Sequence, residues 1–224
     1  GVRSEPPTHP ELLEWLAHDF VQHGWKIKRL QQLILRSAVY QQAGEVSPEN
    51  LKIDPANRYW WHAQPRRLDA EIIRDSLLFV GGNLDKSMYG ASILDNTPRR
   101  SIYLRVKRSE LIPLMTMFDA PEPTQSIGER ISTTVPTQSL AMMNSPFVRD
   151  QAEKLARRVR PNAEVPVAKS LEQAYQITFA RSPTENEQAR LVAFLEQQSS
   201  LLGTDAAATD KALVEVCQLL LCLN

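Results

Sequence analysis

The residues best placed to do chemistry lie between Arg66 and Asp75. Arg66, Arg67, Asp69, Glu71, Arg74 and Asp75 are six charged side chains within ten positions. On a helix, Arg67, Glu71, Arg74 and Asp75 share one side through three- and four-residue steps. One reading makes Glu71 and Asp75 a carboxylate pair for acid/base work, with Arg67 or Arg74 binding an anionic substituent of a polysaccharide substrate. The other makes the four an ion-pair ladder tying the helix to a neighbouring loop. Adjacent arginines hold carboxylates ionised instead of raising a pKa toward neutrality, so the mixed signs favour the ladder. Glu71 is then expected to be substantially buried and paired.

A second cluster is wholly basic. Arg99, Arg100, Arg105, Lys107 and Arg108 are five cations in ten residues, with Tyr103 among them and no acid. Such a cluster suits sulfate, phosphate or carbohydrate binding, or an acidic partner surface. The plainer alternative is an edge protected by charge from self-association. Thr124, Ser126, Ser132, Thr133, Thr134 and Thr137, with Glu129, Arg130 and Asn144 nearby, form a hydroxyl-rich stretch. It lines a pocket or, as such residues more often do, supplies caps and turns.

Several chemistries are absent from the sequence. The histidines, His9, His18, His23 and His62, show no ligand spacing, so a metal site built from local sequence is not expected. Cys217 and Cys222 are five apart, about 140° around a predicted helix, and read as small buried hydrophobes that cannot bridge each other there. There is no C-x-x-C-H for covalent haem, no phosphate-cradling glycine motif and no G-x-S-x-G. No cofactor is therefore expected on this segment. The 26 basic and 26 acidic residues balance, which supplies no global field for nucleic acid. The longest apolar run, residues 219–223, falls far short of a membrane span, and no signal peptide opens the segment.

The elements that must position these residues read as helices. Thr8 and Glu11 form a capping box for a helix bearing Leu12, Leu13, Trp15, Leu16 and Phe20. A second amphipathic run extends from Ile27 to Tyr40. Residues 41–64 lose periodicity and read as a loop whose Tyr59, Trp60 and Trp61 fold back onto the core. Helical periodicity returns over 67–80, with Leu68, Ile72, Leu78 and Phe79 inward and Gly81-Gly82 at the end. Residues 101–106 alternate like a strand, and 111–118 read as a short helix. Further helices are expected over 136–143, from Ser145-Pro146 to about Arg160, and over 165–180. Two more follow, one from a Ser182/Glu185 capping box and one from Thr209 or Asp210 to the chain end. The expected fold is all-α, one irregular multi-helix domain over 1–224 with at most a minimal β-hairpin, and with 1–123 and 124–224 as sub-lobes.

Seven stretches resemble a known family: EPPTHPELLEWLA (5–17), GWKIKRLQQLILRSAVYQQ (24–42), NRYWWHAQPRRLDAEIIRDSLL (57–78), RRSIYLRVKR (99–108), FDAPEP (118–123), STTVPTQSLAMMNSPFV (132–148) and AYQITFARSPTENE (174–187). They are similar, in order, to the planctomycete-specific C-terminal domain of unknown function that accompanies cytochrome c-like domains. The pattern departs at Lys26, where that family usually has a capping Ser. The resemblance implies a piece of an exported, multidomain parent in the cell envelope or periplasm, with any haem on other domains. It names no reaction. Together with the missing catalytic constellations, it favours a non-catalytic interaction or scaffolding module associated with electron transfer or polysaccharide use. Its partners are then other domains of the parent, envelope proteins or an anionic polysaccharide. The alternatives are the Glu71/Asp75 enzyme and a sulfate- or carbohydrate-binding module using the basic cluster.

Overall fold

The computed structural model describes residues 6–124, 127, 130–203 and 206–223; Ser126 and Glu129 of the hydroxyl-rich stretch lie outside them. It is mostly helical, with ten α-helices and no strand among the described residues, as the periodicity predicts. Its contacts divide the chain into two units, residues 1–67 and 68–224.

The N-terminal unit holds α1 (Pro10–Gln22), α2 (Ile27–Leu35) and α3 (Pro48–Ile53). The expected Thr8/Glu11 box does not form. His9 is the N-cap, which leaves Thr8 one position too early, and its hydroxyl pairs with His9 Nδ1 at 2.9 Å. Gly24 and Trp25 both take left-handed φ, +70° and +59°, turning the chain into α2. Lys26 caps α2 without a side-chain bond. That helix ends at Leu35 rather than Tyr40, because the Ser37 hydroxyl donates to Ile34 O at 2.7 Å and accepts from Tyr40 N at 3.2 Å. The loop expected over 41–64 contains α3, whose start is a Ser-Pro pair in which Ser47 Oγ accepts from Asn50 N. None of the three helices contains a buried residue.

The C-terminal unit holds α4 (Ala70–Val80), α5 (Pro113–Met117), α6 (Pro136–Asn144), α7 (Pro146–Val159), α8 (Val167–Phe179), α9 (Glu185–Leu202) and α10 (Ala206–Cys222). Here the apolar stripes meet. α10 packs on α6, α7, α8 and α9. Its Ala212, Leu213, Val216 and Leu220 join Val148, Leu155, Leu171 and Leu191 in one buried cluster. Ser145 Oγ caps α7 as expected. The box at α9 is Thr184 with Glu187 instead of Ser182 with Glu185. Arg181 and the Tyr175 hydroxyl also bind the Glu187 carboxylate, and this fixes the later register. α10 begins at Ala206, about one turn before the expected caps, and Asp210 pairs with Arg160 at 2.5 Å.

Residues 101–106 are not a strand. Ser101–Tyr103 forms a 3₁₀ turn, and the following residues touch residue 93 through an isolated parallel bridge, Ile93↔Leu104. The backbone N–H of Ser101 goes to the Asp75 carboxylate instead of to a neighbouring strand.

Candidate functional site

The charged helix α4 divides its side chains between two jobs. Arg74 is only 2% exposed and lies under the loop of residues 95–101. Its guanidinium donates to Arg99 O (2.9 Å), Ser101 Oγ (3.2 Å), Asp95 O (2.8 Å) and Thr97 O (2.6 Å). Burial lowers its pKa, partly offset by Asp75 and Asp95. The next residue, Asp75, accepts from Ser101 N and Oγ at 2.7 and 2.6 Å, while its carboxylate stays 3.8 Å from Arg74. Arg74 and Asp75 thus pin one loop from adjacent positions.

Glu71 pairs elsewhere. It takes a bidentate bond from Arg130, both contacts 2.8 Å, with Asp69 3.5 Å from the same guanidinium. The Arg130 bonds hold the Glu71 carboxyl below the usual carboxylate range, against the opposing effect of burial. Glu71 is half-buried, not substantially buried as expected, and its partner is neither Arg67 nor Arg74. Arg67 itself is half-buried. Glu71, Asp75, Arg100 and Arg130 border an open groove of about 740 Å³, with Ile72 and Ile102 among its apolar walls. An ionised carboxylate clamped by a guanidinium supplies a fixed anion, not a proton donor.

The basic cluster also separates. Arg99 is buried and donates to Ser87 O, Ala91 O and Tyr89 O, with its guanidinium 3.8 Å from the Tyr103 ring centroid. Lys107 pairs with Glu110 at 3.2 Å, and Arg105 Nε reaches Ser92 Oγ. Arg100, Arg105, Lys107 and Arg108 are exposed. In the hydroxyl-rich stretch, Thr133 N and Oγ1 donate to the Asp119 carboxylate and Gln138 Nε2 donates to Met117 O, so these side chains close turns. Among the described residues no group of three or more His, Cys, Asp or Glu could hold a metal ion. Burial pushes the Cys217 thiol up to about 12 and raises Cys222 as well, which leaves both poor nucleophiles. No helix among the described residues is long and apolar enough to cross a membrane.

The N-terminal unit presents a site that the sequence did not single out. Buried Asp54 and Asn57 knot the turn before Trp61. Asp54 Oδ2 accepts from Tyr59 N (2.8 Å), and Trp61 Nε1 donates to Asp54 O (3.0 Å). The Tyr59 N–H keeps the Asp54 carboxyl below its ordinary range. Asn57 Oδ1 accepts from Trp61 N, and Asn57 Nδ2 donates to His62 O, both at 2.9 Å. Asn57 and Trp60 both adopt left-handed φ, +51° and +52°. The product of these constraints is outward presentation. Tyr59 is 75% and Trp60 41% exposed, where the sequence predicted aromatics folded onto the core. Trp60 lies 4.6 Å from the His9 ring and borders a groove of about 1510 Å³ with Leu12, Trp15, Leu33 and Tyr40. The run NRYWWHAQPRR, dense in aromatic and basic residues, carried the signal for this site.

Comparison with known proteins adds one finding. No curated protein and no solved structure matches the chain. A family model described as PSD1, protein of unknown function (DUF1553), matches residues 1–195, spanning both the α4 groove and the aromatic turn. The chain therefore belongs to the PSD1 family.

Proposed function

We propose that this chain is a non-catalytic interaction module of a multidomain cell-envelope protein, and that its N-terminal unit carries the binding face. One observation supports this reading above the others. α1, α2 and α3 bury no residue, yet Leu12, Trp15, Ile34, Tyr40 and Trp60 are all exposed and line one groove. Contiguous exposed apolar surface of this kind marks interaction sites on soluble proteins. The family resemblance is in keeping with this reading, since it implies a larger multidomain parent with any haem on other domains. The clamped Glu71 supports the non-catalytic side of the reading, because acid/base work by the Glu71/Asp75 pair needs a carboxyl able to hold a proton.

The test is crosslinking with mass spectrometry on the full-length parent, native and with Trp15→Ala and Trp60→Ala. Links from residues 8–66 to another domain or protein, reduced by both substitutions, are expected. If residues 8–66 link to nothing, the reading fails.

A further inference from the structure

The groove of the N-terminal unit has a composition that specifies its occupant more closely. We infer that it receives an amphipathic peptide segment whose apolar side chains are flanked by Asp and Glu; the inference rests on the interaction role proposed above.

Charge is the first argument. Arg29, Arg36, Arg58 and Arg66 all line the groove, and among the described residues no Asp or Glu does. In a chain with equal numbers of acids and bases, that lining is strongly one-sided. Arg29 is already engaged by Asp19. Arg36, Arg58 and Arg66 are exposed, and Arg36 and Arg66 form no ion pair among the described residues. Arginine presents a planar fork that matches a carboxylate bidentately, so these are suitable receptors for acidic side chains.

The walls decide between a peptide and a polysaccharide. Leu12, Leu16, Leu33, Ile34 and Val39 make much of them aliphatic, alongside the aromatic Trp15, Tyr40 and Trp60 and the polar Gln32 and Gln64. A sugar chain needs hydrogen-bonding groups along its length and gains little from aliphatic walls, whereas the apolar face of a peptide helix buries against them. Size agrees. About 1510 Å³ exceeds the 300–1,000 Å³ typical of small-molecule pockets. Trp15 and Trp60 are the anchors, since Trp and Arg dominate the energetics of protein interfaces. The second, independent sign of a built site is the aromatic turn. Two buried polar side chains and two left-handed residues hold Trp60 outward, and such strain clusters at binding sites. His62 lines the same groove with a buried Nδ1 that has no hydrogen-bond partner among the described residues.

Calorimetric titration of the full chain tests this with four probes. They are an amphipathic helical peptide with Leu on one face and Glu on the other, its counterpart with Lys for Glu, dextran sulfate, and phosphatidylglycerol vesicles. The Glu peptide is expected to bind at least about tenfold more tightly than the others. Arg36→Glu with Arg66→Glu should reverse the preference between the Glu and Lys peptides, and Trp60→Ala should weaken both, each variant keeping the native circular dichroism. Equal affinity for the two peptides, or tighter binding of dextran sulfate or vesicles, overturns the inference. So does a preference untouched by the arginine reversal. The crosslinking result separates this failure from that of the interaction role, because a partner captured at residues 8–66 despite the arginine reversal sinks the acidic-peptide inference alone.

Discussion

Arg74 and Glu71 sit three residues apart on α4 and stand for opposite ways in which a charged side chain stabilises a fold. Arg74 is enclosed, and its guanidinium satisfies three carbonyls and a hydroxyl that no other described donor serves. Glu71 meets Arg130 in a pair whose side chains are 35% and 40% exposed to water. Hydrogen bonds to a buried charge contribute more than a solvent-screened pair, and abandoned acceptors cost a desolvation penalty. Arg74→Ala is therefore expected to cost on the order of 3 kcal/mol, against under about 1 kcal/mol for Glu71→Gln. Arg74→Lys should rescue little, since an ammonium cannot reproduce the fork. The Glu71 effect also has a pH signature. Its folded pKa lies below the ordinary value of 4.5, so its stabilisation is present above that value and is lost as pH falls through the folded pKa. Urea midpoints of wild type and Glu71→Gln should differ at neutral pH and draw together as pH falls below 4.5 and through the folded pKa, while the Arg74→Ala deficit persists. A larger loss at Glu71 than at Arg74 would contradict the assignment.

At the scale of elements, local signals were legible where one side chain decides the outcome. Ser145-Pro146 starts α7 as its type requires, and Gly82, at φ +80°, turns the chain after α4. Signals failed where a second element decides. The segment 181–187 contains two overlapping Ser/Thr-x-x-Glu patterns, and only Tyr175 from α8 and the neighbouring Arg181 select Glu187 as the reciprocal partner. Leu68, Ile72 and Phe79 have the spacing of a buried stripe but remain exposed, because periodicity shows that a stripe exists and not that anything covers it. Arg74 could not be recognised as buried, since its acceptors lie more than twenty residues away in an aperiodic loop. The aromatic turn was hidden for a related reason. Its composition resembles core, and only the Asp54 and Asn57 bonds turn Trp60 outward. The capping box at α9 yields a bounded prediction. Thr184→Ala removes the acceptor for Glu187 N and should lower stability by about 1 kcal/mol. Thr184→Ser should restore most of it in the same thermal melts, and an unchanged melting temperature in the Ala variant would show the box to be inert.

The whole molecule distributes its buried surface unevenly, and its dynamics should follow. α10 buries Ala208, Ala212, Leu213, Val216, Cys217 and Leu220, and α7 buries Val148, Ala152, Leu155 and Val159 against the same cluster. Opening either helix exposes this core, so their amides should exchange only through unfolding of the C-terminal unit. α1 and α2 bury nothing, and their opening sacrifices little more than helix hydrogen bonds and part-covered side chains. Regions with few buried apolar contacts open with small free energies. Hydrogen exchange on the full chain is therefore expected to show residues 10–35 exchanging orders of magnitude faster than 148–159 and 208–220. The protection of 148–159 and 208–220 should track urea stability, while that of 10–35 stays nearly flat at low urea, because local opening exposes little new surface. A binding face built on such marginal helices gains order when it is occupied. The Glu-bearing amphipathic peptide should then slow exchange over 10–35 and leave α10 unchanged. Uniform slow exchange across both units in the free chain would mean that the surface of α1 and α2 is already covered, and the N-terminal unit would lose its claim to be the open face of the molecule.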